Sequence, residues 1–511
     1  MYDAEKCFDS LWAQDCINDL YNAGCVDDKL VLLYQGTQNA NIAVKTPFGL
    51  SDRENIQNVI MQGGVFGSIM CTTSIDNLAK EVYNRPELLY KYKGVANVPP
   101  LLMVDDILTI SKCSATASAL NVTVNDFIES KKLKLNHKKC SVIHVGKKTG
   151  TCPDIKVHGE TMHREESTDY LGDLFHASGK SKFNVIKRTA KAYAILAEIK
   201  AIITDIPLGR YKTEVGLQLR QAMFVNGVLY NSEVWQGLNT TDIAMLEHVD
   251  RQLLKFICSG HAKTATEFLY LETSALPLKY IIGSRRIMFL QNILKRRDEE
   301  LVKRVYEAQK DKPTTGDFIE LVKKDLEMIG QDFDEEFILS KTTSQFKSHI
   351  KKKTREAALK ELKLVQLTHT KVSDIKYDKF QTQPYLKSNK FTNDMSRLLF
   401  NMRSSMTKNI KSNFSSQFGS NPRCSMKCND LEAIDNQNHI LQCQVLLEKL
   451  SPEEKLSASQ VKYNDIFGSL EEQSKVVLVL ARMLDIREEI LEMQCLPVGI
   501  ITGPATDTIS F

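Results

Sequence analysis

"LLMVDDILTI", residues 101–110, places two adjacent aspartates inside an otherwise apolar run. Leu101, Leu102, Met103 and Val104 come before the pair, and Ile107, Leu108 and Ile110 come after it. The run is short and starts after Pro99 and Pro100, so it predicts a strand–turn–strand hairpin. Two like charges in a largely buried hairpin repel each other and lose hydration. A cation shared with a further ligand makes them tolerable, and oxygen ligands without nearby histidines suit Mg2+ or Mn2+. The alternative is a tight type I′ turn with both aspartates at its exposed centre. The other VDD, Val26–Asp28, follows Ala23-Gly24-Cys25 and precedes Lys29; it reads as a helix end and a polar turn.

A cation site needs another carboxylate from elsewhere in the chain. "YDAEKCFDSLW" (2–12) offers Asp3 at the end of a strand and Asp9 near the start of a helix. A strand-end carboxylate opposite a hairpin can share cations with the hairpin aspartates. Two such ions roughly 3.5–4 Å apart clamp an in-line displacement at phosphorus. One activates an attacking 3′ hydroxyl and both neutralise developing charge, which is the chemistry of nucleotide polymerisation.

The order of "DAEKCFD", "QGGVFGS", "MVDDI", "LKLNHKKC" and "DYLG" resembles the palm of reverse transcriptases from non-LTR (LINE-type) retrotransposons. The resemblance covers roughly residues 1–175 and implies an RNA-directed DNA polymerase acting on an RNA template, a DNA primer and dNTPs. It implies catalytic, Mg2+-binding roles for Asp3, Asp105 and Asp106. Phe8 matches the bulky residue whose ring leaves no room for a 2′-OH. Gln62 and Gly63 match a loop near the incoming base and template. Lys139 falls near the leaving pyrophosphate, as a proton donor or a charge offset. Tyr170, Leu171 and Gly172 resemble the hairpin that grips the primer. Met103 stands where the family has an aromatic residue, and Ser68 lies one residue later than the family's serine. The sequence reads as a fragment that starts at the first catalytic block, without the fingers.

The expected fold is α+β: a palm (1–175), a mostly helical thumb-like region (176–335), a basic helical connector (336–415), a zinc-knuckle-like segment (416–446) and a helical end with a frayed tail (447–511). "FNVIKRTAKAYAILAEIKAII" puts Phe183, Ile186, Ala190, Tyr193 and Ala197 on one helix face, with its lysines largely elsewhere. Residues 341–411 hold 17 Lys/Arg against 5 Asp/Glu, a net of +12 within a chain of net +4. Such a block suits contact with a phosphate backbone, or is a solvated helix face. "CSMKCNDLEAIDNQNHILQC" spaces Cys424, Cys428, His439 and Cys443 as C-x3-C-x10-H-x3-C, a set that can close a structural Zn2+ site, with the last two ligands expected on one helix face. The alternative there is buried thiols beside an unrelated histidine.

No apolar run approaches the roughly 20 residues of a membrane span, and no signal-peptide pattern opens the chain, so an intracellular protein without a membrane partner is expected. "GKS" at Gly179–Ser181 lacks the upstream glycine of a phosphate loop. His137, His144, His158 and His163 form no ligand-spaced set. The rival to a polymerase is a nucleic-acid-binding remnant of a retroelement, in which the basic block and the knuckle act without catalysis.

Overall fold

The computed structural model describes residues 1–37, 40–56, 66–146, 154–157, 159–205, 212–408, 410–413, 423–430 and 432–495. Gln62, Gly63, His158 and the tail 497–511 lie outside the described residues. The chain combines many helices with small sheets in an α+β arrangement. No helix of the described residues is long and apolar enough to cross a membrane.

Two hydrophobic cores organise it. The first runs from Tyr2 to Met162 and joins helices Ala13–Asn22, Gly67–Tyr83 and Ser114–Ser130 beneath a three-stranded sheet. The sheet order is Tyr2–Asp3, then Asp106–Leu108, then Leu101–Met103, all antiparallel. Leu11 adopts an extended conformation and divides the expected N-terminal helix into Cys7–Ser10 and Ala13–Asn22. Gly24 follows with a φ of 92°, in the left-handed region that glycine tolerates at a helix end. Asp19, buried in this core, accepts from Ser74 Oγ (2.5 Å), Asn77 Nδ2 (2.9 Å) and Lys131 Nζ (2.6 Å).

The second core extends from Val185 to Ile486. The helical region, the basic segment and the cysteine/histidine segment all contribute side chains to it, among them Phe268, Phe346, Phe400, Cys443 and Leu480. Helix Lys182–Asp205 faces this core with Val185, Ala192, Ile195, Leu196, Ile199 and Ile203. The stripe Phe183, Ile186 and Tyr193 lies on the opposite, exposed side, at 36%, 46% and 45% exposure. This helix has two apolar faces, and periodicity alone does not say which one is buried.

The two cores meet at a clasp. Lys93, in the turn between strands Tyr90–Tyr92 and Ala96–Val98, reaches Asp317 Oδ2 at 2.6 Å and Thr314 Oγ1 at 3.1 Å. Lys312 Nζ answers by donating to the Lys93 carbonyl at 3.0 Å, and Gln309 Nε2 donates to Tyr92 Oη at 3.2 Å. Strand Ala96–Val98 leads through Pro99 and Pro100 directly into the aspartate hairpin.

Candidate active site

The hairpin turn is centred on Val104 and Asp105, with Met103 paired opposite Asp106. The alternative of two aspartates at a type I′ centre therefore fails: Asp106 is the first residue of the returning strand. Val104 has φ 57° and Asp105 has no positive φ, the pattern of a II′-class rather than a I′-class turn. A β-branched residue in the left-handed region is costly, and such strain concentrates at functional sites.

Antiparallel pairing puts Asp3 directly opposite Asp106 across the strands. Like charges so placed destabilise a sheet. Asp106 responds: burial, then Asp105 and Asp3, push its carboxyl above the ordinary range, with Lys139 pulling the other way. Lys139 is mostly exposed and stands 3.6 Å from Asp3 Oδ2. Its position follows from backbone contacts. Residues 134–136 run antiparallel to residues 3–5, through Glu5 N–H to the Lys134 carbonyl (2.7 Å) and Asn136 N–H to the Asp3 carbonyl (2.8 Å). A cleft of about 340 Å³ opens here, lined by Asp3, Phe8, Asp9, Asp105, Asn136 and Lys139. Residues 3, 8, 105 and 139 are thereby gathered in one place, with Asp106 behind them in the sheet.

Tyr170, Leu171 and Gly172 form a second tight hairpin, with Tyr170 opposite Asp173. Leu171 and Gly172 both have positive φ, 49° and 81°, as a I′ turn requires. Tyr170 Oη donates to the Leu101 carbonyl at 3.3 Å, which docks this hairpin on the three-stranded sheet. Burial, then the Asp106 charge, raise the Tyr170 phenol above its ordinary range.

Three residues that the sequence reading did not single out fix this hairpin. Arg188 Nη2 donates to the Gly172 carbonyl at 2.7 Å and to Asp173 Oδ1 at 2.9 Å; Asn184 Nδ2 reaches the same oxygen at 2.9 Å. The only signal available was a polar pair at i and i+4, Asn184 and Arg188, beside the apolar positions of a long helix.

Residues 1–174 match the reverse transcriptase (RNA-dependent DNA polymerase) family. The matched reverse transcriptase region holds the aspartate hairpin, the turn of the second hairpin and the residues that line the cleft, and ends within strand Asp173–His176, before helix Lys182–Asp205. No curated protein matches the chain.

Cys424, Cys428, His439 and Cys443 lie outside the reverse transcriptase match, in the second core. Their ligand atoms all fall within 4.8 Å of one another. Cys424 and Cys443 Sγ are 3.9 Å apart, and Cys428 Sγ is 3.5 Å from His439 Nε2. The hydrogen bond with Cys443 pulls the Cys424 thiol down to about 4, while the same bond and burial push the Cys443 thiol up. His439 belongs to helix Gln437–Ile440, but Cys443 lies past its end and begins the next helix, Gln444–Glu448. The expectation of His439 and Cys443 on one helix face is thus corrected: a sharp bend between two short helices brings them together. Asp435, fully buried beside the cluster, accepts from Arg487 Nη2 at 2.9 and 2.7 Å and so ties it to helix Leu470–Cys495.

Proposed function

We propose that this protein is an RNA-directed DNA polymerase of the non-LTR retrotransposon type, extending a DNA primer on an RNA template with dNTPs. The observation that carries the reading is the convergence of Asp3 and Asp105, from distant parts of the sequence, with Lys139 and Phe8 in one cleft of the reverse transcriptase region, Asp106 lying opposite Asp3 in the adjoining sheet. The like-charged carboxylates suit hard divalent cations, so Asp3 and Asp105, with Asp106 adjacent, would hold Mg2+ or Mn2+. Such ions supply charge neutralisation at the reacting phosphate and at the attacking 3′ oxygen. The chain's own residues do the rest. Phe8 limits the room beneath the sugar and selects deoxynucleotides. Lys139 faces the departing pyrophosphate. The Tyr170–Gly172 hairpin, held by Arg188, sets the height of the primer end above the aspartates. On this reading residues 1–175 are the palm and helix Lys182–Asp205 opens the thumb.

Primer extension tests this. The native chain should extend a primed RNA template with dNTPs and Mg2+, and Asp105→Asn should abolish extension. No extension by the native chain, where a control polymerase succeeds, overturns the reading.

Cys424, Cys428, His439 and Cys443 have the donor set of a structural Zn2+ site, and their clustered ligand atoms support that assignment. Zinc there would contribute to folding rather than to chemistry. Metal analysis should find about one zinc per chain, lost in Cys443→Ser together with a clear fall in Tm.

The second reading, nucleic-acid binding without catalysis, is favoured by one observation. Helix Thr343–Gln366 exposes Lys347, Lys351, Lys352, Arg355 and Lys360 on its outer side. Salt-sensitive RNA binding without extension, unchanged by Asp105→Asn, would select it.

A further inference from the structure

The fold brings Lys263, from outside the basic block of residues 341–411, beside Lys371 and Lys408 from within it. The loop after helix Thr240–Ile257 folds back against helix Asn393–Arg403 so closely that a Cβ on Gly260 would meet Phe400 Cε1 at 2.7 Å. Asn401 locks the contact: its Oδ1 accepts from the His261 N–H and its Nδ2 donates to the Ser259 carbonyl, both at 3.2 Å. Across from it, Ser405 Oγ donates to the Lys371 carbonyl at 3.2 Å, and Lys371 Nζ donates to the Asn413 carbonyl at 2.7 Å. Three segments far apart in sequence are stitched together, and each brings an exposed lysine: Lys263, Lys371 and Lys408.

These charges act on one another. Burial, and then Lys263, Lys408, Lys255 and Lys371, hold the His261 imidazole below its ordinary range. Burial and Lys263 do the same to Lys371. Some lysines in this half of the molecule pair with carboxylates, as in Lys279–Glu361, Lys310–Glu335 and Lys324–Glu320. Among the described residues Lys263, Lys371 and Lys408 have no such ion pair. Gathering like charges without compensation costs stability, and an anion binding across them recovers it. The face continues toward the cysteine/histidine cluster, where Lys411 Nζ donates to the Arg423 carbonyl at 3.0 Å and Lys427 is exposed.

We propose that Lys263, Lys371 and Lys408 form a phosphate-binding face that holds the backbone of a nucleic-acid strand outside the polymerase cleft. The proposal rests on the polymerase reading, which supplies the nucleic acid to be held, and adds a second point of attachment remote from the aspartates. Its chemistry is that of the phosphodiester, shared by RNA and DNA. The three ammonium groups belong to no single helix face, so the site exists only in the folded chain.

The test uses the full chain and labelled single-stranded RNA and DNA of one sequence, titrated across a salt series. The triple variant Lys263→Glu, Lys371→Glu, Lys408→Glu should weaken binding about tenfold or more and flatten the log–log salt slope by about 2, as loss of three backbone contacts requires. The milder triple change to Gln should move both readings in the same direction by less. A charge-matched control, Lys324→Glu, Lys455→Glu, Lys475→Glu, should bind as the native chain does. Unfolding curves of all variants show that each is folded. The RNA and DNA arms say which strand is held. Native-like affinity in the triple reversal, an equal loss in the control, transfer of the effect to anionic lipid vesicles only, or no nucleic-acid binding by the native chain would each overturn the face. Primer extension separates the two ideas: normal extension with unchanged affinity removes the face and keeps the polymerase, whereas lysine-dependent binding without native extension does the reverse.

Discussion

Carboxylates are handled in opposite ways in the two halves of the molecule. In the helical half a buried acid meets a buried arginine: Asp250 with Arg220, Glu272 with Arg403, Asp435 with Arg487. Glu272 is the fullest case. It accepts from Arg403 Nη2 at 2.7 Å, Tyr377 Oη at 2.6 Å and Tyr385 Oη at 2.5 Å. In the sheet half, Asp3, Asp105 and Asp106 adjoin one another, and the cation near them is the largely exposed Lys139 at 3.6 Å. The same region pairs Asp19 fully with Lys131, Ser74 and Asn77, so the incomplete compensation is specific to the cleft. Charge satisfied from within stabilises a fold; charge left open calls for a partner from solution.

Substitution should separate the two kinds sharply. Asp105→Asn should lower primer extension at least about a thousandfold, roughly 4 kcal/mol of transition-state stabilisation. Because it relieves repulsion within the acidic group, it should leave Tm unchanged or slightly raised. Glu272→Gln should do the reverse. Removing one partner of a buried pair strands the other charge, at about 3–5 kcal/mol. Thermal unfolding would record that loss, while extension by the surviving folded fraction stays near native. A drop in stability for Asp105→Asn as large as that for Glu272→Gln would erase the distinction.

The legibility of the two halves differs for the same physical reason. The aspartate pair was readable because a polar pair inside an apolar run is conspicuous at short range. The exact turn was not readable: aspartates favour turn centres, whereas the left-handed conformation falls on Val104, a residue type that avoids it. The exposed stripe Phe183, Ile186 and Tyr193 looked like a core face, because a helix with two apolar faces gives period 3.6 on both. What buries the other face is its packing into the second core against helix Thr240–Ile257, while Asn184 and Arg188 anchor the start of the helix on the Gly172–Asp173 hairpin, and sequence spacing carries no trace of either pairing. The Cys/His set was legible as a spacing, but its bend between two short helices was not.

The clasp between the halves sharpens the comparison further. Lys93 and Asp317 are 11% and 13% exposed, intermediate between the buried pairs and the open cleft. Lys93→Met should cost about 2 kcal/mol, less than the fully buried pairs. Burial alone would raise the Asp317 carboxyl, but hydrogen bonds from Lys93 and Thr314 hold it below the ordinary range. A depressed folded-state value means that the contribution is complete above the unfolded aspartate value of about 4 and is lost as pH falls through the folded one. Native and Lys93→Met chains should therefore differ in stability at neutral pH and converge below about pH 3. A difference that persists in acid would assign the clasp to the hydrogen bonds that Lys93 gives to Thr314 and to the Lys312 carbonyl instead.

The smallest effect is expected at Lys139, where exposure and the 3.6 Å separation from Asp3 leave a weak, screened interaction in the free protein. Lys139→Ala should slow extension by about tenfold, near 1.4 kcal/mol, with little change in Tm. Lys139→Arg decides what the lysine does. A group that only offsets charge at the departing pyrophosphate is replaced well by guanidinium, whereas a proton donor is not, because guanidinium does not release its proton at accessible pH. The mostly solvated ammonium in an open cleft favours charge offset, so Lys139→Arg should keep most of the native rate and the native pH profile. A rate as low as that of Lys139→Ala, with the alkaline limb of the pH profile lost, would make Lys139 the general acid and move it from the cleft's electrostatics into its proton chemistry.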